Sequence, residues 1–99
     1  MRIDIDTVTL STILKSKTLS KILARILDAY FDAWLLCDDV EGISFSMENL
    51  RKSLRYKNKS TVSRGLNALA ELGLFEIETT NKGTAINFNP EKIRRVYSN

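Results

Sequence analysis

Between Leu19 and Leu35 the apolar positions recur every three or four residues: Leu19, Ile22, Leu23, Ile26, Leu27, Tyr30, Phe31, Trp34 and Leu35. That period is helical. Thr18 is a candidate N-cap, and the spacing predicts a helix that continues to Leu36 or Cys37. At about 100° per residue the apolar side spans roughly 220° of the helix, about twice what packing on one small domain needs. Ile22, Ile26, Tyr30 and Ala33 form one face; Ala24, Leu27, Phe31 and Leu35 form another. Lys21, Arg25, Asp28 and Asp32 are the narrow polar remainder. One face serves the core. The other needs a partner, and another copy of the chain is the simplest one. A homodimer closed by Leu27, Phe31, Trp34 and Leu35 is therefore expected. The alternative is that the first helix and the C-terminal tail cover both faces.

Period and punctuation place the other elements. Asp6 or Thr7 caps a short helix that carries Leu10, Ile13 and Leu14 to about Lys15. Ile3 and Ile5 before it alternate as in a strand. Asp38, Asp39, Val40, Glu41 and Gly42 make an acidic turn without the ligand spacing of a calcium loop, so a solvated loop is expected. Ile43, Ser44 and Phe45 suit a short strand. Ser46 caps a helix over 47–55 whose inner face is Met47, Leu50 and Leu54. Tyr56, Lys57, Asn58 and Lys59 are a polar turn, and Ser60 caps a helix over 61–72. Val62, Gly65, Leu66, Leu69 and Leu72 face inward on that helix, with Gly65 allowing close approach to the preceding helix. Gly73 stands where a left-handed C-terminal cap belongs, with Leu74 packing behind it. Alternation over 76–79 and 84–88 predicts a hairpin, joined by Thr80, Asn81, Lys82 and Gly83. Asn89 and Pro90 look like a helix start, which predicts a short C-terminal helix carrying Ile93, Val96 and Tyr97.

The fold class expected is mostly α with a small β-hairpin, an α+β domain over 1–99. Its parts are an N-terminal helical dimerisation region (1–42), a helix-turn-helix and hairpin (43–89) and the C-terminal helix (90–99). Ninety-nine residues suit one domain. The apolar stretch over 19–36 is interrupted by charges, which excludes a membrane span, and no signal peptide is visible. Cytoplasmic, nucleoid-associated localisation is the expectation. Cys37 is the only cysteine and there is no histidine. That excludes an intrachain disulfide, a zinc site and Cys-His or Ser-His nucleophile pairs. No metal, no cofactor and no small-molecule ligand is expected, and an enzyme is the least favoured class. Cys37 itself reads as a buried structural thiol.

Charge adds a direction. The net +3 is unevenly spread: residues 1–48 hold five basic and eight acidic side chains, residues 49–99 ten and four. Between Asn49 and Ala70 there are six basic residues and no acid. A polyanion partner for the second half follows. On the outer side of the 61–72 helix lie Ser63, Arg64 and Asn67, with Ser60 at its start. These are residue types that read base edges: Arg guanine, Asn adenine, Ser either. Arg51, Lys52, Arg55, Lys57, Lys59 and Thr61 surround them, with Lys82 at the hairpin tip, as candidate contacts to the sugar-phosphate backbone.

The segment KSTVSRGLNALAELGLFEI, residues 59–77, resembles the recognition helix and exit of winged helix-turn-helix proteins. It is similar to small prokaryotic regulators of the MarR and ArsR type, to winged-helix proteins of archaeal viruses and plasmids, and to the DNA-binding domains of plasmid replication initiators. The resemblance covers about residues 43–90. It implies sequence-specific double-stranded DNA binding by a homodimeric transcriptional regulator, with 61–72 in the major groove and 75–88 as the wing. The ArsR-type Cys/His metal-sensing set has no counterpart here. Two further readings remain open on sequence alone: a DNA-binding plasmid or viral replication or partition factor, and a winged-helix protein–protein interaction module.

Overall fold

The long amphipathic helix is the axis of the molecule. The computed structural model describes residues 2–37, 40–81 and 83–96. In chain order the elements are β1 (Arg2–Ile5), α1 (Thr7–Leu14), α2 (Lys17–Leu36), β2 (Gly42–Phe45), α3 (Met47–Leu54), α4 (Lys59–Glu71), β3 (Phe75–Thr80), β4 (Gly83–Phe88) and β5 (Ile93–Val96). The fold is α+β: among the described residues, four helices and two small antiparallel sheets. No helix among them is long and apolar enough to cross a membrane.

α2 starts earlier than the sequence predicts. Ser16, not Thr18, is the N-cap, accepting the Leu19 N–H at 3.2 Å, while Ser20 donates to the Ile13 carbonyl. Ile22, Leu23, Ile26 and Tyr30 of α2 are buried in one cluster with Ile13 of α1, Leu50 and Leu54 of α3, Val62, Leu66 and Leu69 of α4, and Phe75, Ile86, Phe88 and Ile93 of the strands. Close packing of α4 rests on Gly65. A Cβ there would overlap Cδ1 of Ile22, so the glycine admits α2 and not the preceding helix α3.

One sheet has the order β2-β4-β3, all antiparallel. β4 is its centre: Ile86 faces Ile43 on one side and Ile77 on the other. α4 passes into β3 through Gly73, at φ 88°, whose N–H donates to the Ala70 carbonyl. This is the expected left-handed cap. Asn89 ties the far end of β4 back to the same corner, donating Nδ2 to the Gly73 carbonyl at 3.0 Å and its N–H to the Leu74 carbonyl at 2.8 Å.

The expected C-terminal helix does not form over residues 90–96, and Tyr97 lies outside the described residues. Asn89 and Pro90 start only one turn: the Asn89 side chain accepts the Glu91 N–H, and its carbonyl accepts those of Lys92 and Ile93. Ile93–Val96 then runs as β5, antiparallel to β1, with Arg2 opposite Val96 and Ile5 opposite Ile93. The local start signal is real, but β-branched residues with a strand partner available favour pairing over a helix too short to sustain itself. β1 is the strand that the alternation of Ile3 and Ile5 suggests.

Candidate functional site

α3 and α4 are joined by a turn that the chain holds from both ends. α3 ends at Arg55, which takes a left-handed conformation (φ 63°) and donates its N–H to the Lys52 carbonyl. Arg51 donates Nη1 to the Tyr56 carbonyl at 2.7 Å and Nε to Glu48 at 3.1 Å. Lys59, at the start of α4, lies 3.6 Å from the same Glu48 carboxylate. From α2, Lys21 donates Nζ to the Leu54 carbonyl at 2.7 Å and sits 4.7 Å from the centre of the Tyr56 ring. That places a cation on the open carbonyls of a helix C-terminus and over an aromatic face, both favourable positions.

The expected base readers share one exposed surface. Ser60, Ser63, Arg64 and Asn67 are exposed on the side of α4 opposite buried Val62, Leu66 and Leu69. Ser60 is not the cap; it lies in the first turn of α4, and Asn58 occupies the cap position without a side-chain capping bond. The first N–H groups of α4 therefore keep no side-chain partner from Asn58. Arg64 folds back along the helix, its Nε 3.3 Å from the Ser60 carbonyl. Lys52, Arg55, Lys57 and Lys59 are exposed around this face, and Thr61 is half-buried. Arg51 departs from expectation. Its side chain is only 21% exposed and is committed to Glu48 and Tyr56, so it shapes the turn and does not stand ready for a phosphate. Lys82 lies outside the described residues.

Glu48 decides that difference. The run without acid begins at Asn49; Glu48 precedes it and turns into the basic cluster. Its hydrogen bond to Arg51 first, and then the charges of Arg51, Lys59 and Lys52, lower its pKa from 4.5 to about 2 against the opposing effect of desolvation. The same bond raises the pKa of Arg51. A carboxylate depressed in the folded state stabilises fully above its unfolded pKa and loses that contribution as pH falls through the folded one. The difference in Tm between the native chain and Glu48→Gln should therefore be constant above pH 4.5 and shrink between pH 4.5 and about 2. Thermal unfolding followed by circular dichroism checks this; a gap that persists unchanged to pH 2 would show that the charge on Glu48 does not hold the turn.

By period alone, Lys21 and Arg25 belong to a solvated stripe. Both reach α3 instead, Arg25 through Nε to Ser53 Oγ at 2.7 Å. The signal is present in the chain: Lys17, Lys21 and Arg25 share one ridge of α2 at four-residue spacing, while Asp28 and Asp32 follow on the other half. The positive surface is thus broader than the helix-turn-helix alone.

The expected dimer face is only partly present. Trp34 is 1% exposed in the single chain. It stacks against Phe31, ring centres 5.9 Å apart, under the Arg95 guanidinium 5.3 Å from its centre. β5, which takes the place of the expected helix, supplies that cover, so Trp34 is a core residue and does not face a second copy. Leu27 and Phe31 are half-buried, and Leu27 packs on the core. Leu35 and Leu36 remain exposed. Cys37 is exposed too, not buried, because α2 ends before it and its backbone is extended there. Asp38 and Asp39 lie outside the described residues. Among the described residues no three His, Cys, Asp or Glu side chains gather to hold a metal. A cleft of about 420 Å³ between Tyr30, Glu41, Phe88, Ile93 and Arg95 involves neither α3 nor α4. No protein-family model, no curated protein and no solved structure matches the chain.

Proposed function

We propose that the chain is a winged helix-turn-helix protein that binds double-stranded DNA by sequence, acting as a homodimeric transcriptional regulator in the nucleoid. The observation that carries this reading is the surface of α4. It offers Ser60, Ser63, Arg64 and Asn67 on one exposed face, ringed by exposed Lys52, Arg55, Lys57 and Lys59. The order α2-β2-α3-α4-β3-β4, with β4 between β2 and β3, supports the winged-helix part. In this reading α4 enters the major groove, which admits one helix. The β3–β4 hairpin is the wing. The four lysines and arginines neutralise phosphates, and the uncapped start of α4 adds backbone N–H groups to one of them. Two copies related by a two-fold axis would present their α4 helices about 34 Å apart to an inverted repeat.

Titration against random duplex DNA and against the gene's own upstream region, at two salt concentrations, tests the proposal. Salt-dependent binding to both with preference for one sequence is expected; no salt-dependent binding to either overturns it. Arg64→Ala should cost about 1–3 kcal/mol against one base position and relax the preference there. A uniform loss over all sequences would place Arg64 on a phosphate instead. The Nε bond to the Ser60 carbonyl is a single exposed one, so the side chain is able to extend to a base without breaking a buried partner.

A further inference from the structure

β1 and β5 form a two-stranded ribbon, which leaves the outer edge of β1 without a neighbouring strand among the described residues. The direction of its backbone groups follows from two bonds. Asp6 donates its N–H to the Lys92 carbonyl at 2.8 Å, and the Ile93 N–H turns away from β1 to Asn89. Antiparallel ladders alternate. Arg2 and Asp4 therefore turn their N–H and C=O toward β5, while Ile3 and Ile5 turn theirs to the open edge. The side chains alternate as well. Ile3 and Ile5 pack against the core; Arg2 and Asp4 stand on the outer face as an ion pair of 2.9 Å.

We propose that this edge is the seam between two copies of the chain: two β1 strands pair antiparallel about a two-fold axis at Ile3, joining two ribbons into one four-stranded sheet. The sequence Arg2-Ile3-Asp4 is self-complementary in that register. Ile3 meets Ile3 of the second copy and exchanges two N–H···O bonds with it, using the groups that point outward. Arg2 then stands opposite Asp4 of the second copy, and Asp4 opposite its Arg2. Since Asp4 already faces Arg94 across the β1–β5 ladder, each carboxylate lies in a row between two guanidinium groups, a favourable cross-strand arrangement. The neighbouring registers fail. A two-fold axis at Asp4 sets carboxylate against carboxylate, one at Arg2 sets cation against cation, and both need backbone groups that β5 already holds. An open edge that binds its own copy is isologous and closed, so it does not propagate. The seam is short, which implies a concentration-dependent dimer. It supplies an interface for the two-copy part of the proposed function, and it stands without DNA binding.

Sedimentation equilibrium of the full chain over a range of concentrations tests it. The native chain should rise toward twice the chain mass. Ile3→Pro removes the outward N–H and leaves the bonds to β5 intact; it should stay at the single-chain mass with a native circular-dichroism spectrum. Should that variant fail to fold, Arg2→Asp decides, because the site is 70% exposed and an aspartate there faces Asp4 of the second copy. It too should stay monomeric. In a Cys37→Ser background, Ile3→Cys should form a covalent dimer on oxidation, at the Cα spacing of about 5.5 Å of a directly opposed hydrogen-bonded pair. A native chain that is monomeric throughout, or a folded Arg2→Asp variant that still dimerises, overturns the seam. DNA binding measured on the same samples separates the two proposals: a native dimer without DNA affinity sinks only the proposed function.

Discussion

Replacing Lys52, Lys57 and Lys59 together by alanine should flatten the dependence of log K on log salt by about three units in DNA titrations, about one for each phosphate no longer neutralised. The weakening should be nearly the same for every duplex, since these side chains surround the reading face of α4 without lying on it. The fold should survive. All three are exposed; Lys52 and Lys57 carry no ion pair among the described residues, and Lys59 only a long one to Glu48. Arg51 is left in place because its guanidinium closes the turn through Glu48 and Tyr56; removing it would mix loss of a charge with loss of the geometry that presents the others. An unchanged salt slope in the triple variant would take this surface out of any DNA interface.

Trp34→Ala should cost about 3–5 kcal/mol of stability, the range for removing a large buried aromatic side chain, read as a fall in the urea midpoint. The indole is 1% exposed and fills the space between Phe31 and Arg95. Its removal should loosen the β1–β5 ribbon first, because Arg95 belongs to β5. Amide exchange should therefore quicken at Asp4, Asp6 and Arg94, whose N–H groups bond across the ribbon, more than along α3 and α4. The helical period alone puts Trp34 on a face offered to a second copy. Were that its role, alanine would change the sedimentation behaviour while leaving the urea midpoint near that of the native chain.

Much of the fold is legible in the chain. The periods of α1 to α4, the left-handed cap at Gly73 and the hairpin of β3 and β4 are local features: they depend on residues within one or two turns of each other, and the structure places them close to where the pattern does. The boundaries move where two cap residues compete, as with Ser16 over Thr18 and Asn58 over Ser60. The C-terminal helix is the main departure. Asn89 and Pro90 signal a start but carry no information about a strand at the other end of the chain. The same pairing buries Trp34 and removes it from the dimer face. Of the candidate site, the exposed face of α4 and the lysines around it stand where the sequence suggests. The pairing of Arg51 with Glu48 is local, three residues apart on α3, and is within reach of the helical period; the arrival of Lys21 and Arg25 beside α3 follows from how α2 and α3 cross.

The sequence by itself determined which segments are helices up to Glu71, which side of α4 is polar, and that the second half of the chain is positively charged. These depend on side-chain period and composition, which no long-range contact alters. Only the tertiary structure decided which of the charges are spent on the protein's own backbone and which remain outward. It also decided that β1 and β5 meet, and that the outer edge of β1 has no neighbouring strand among the described residues. Strand pairing and ion pairs between elements form between residues distant in sequence, so the energies that choose among them exist only once the core has brought those residues together.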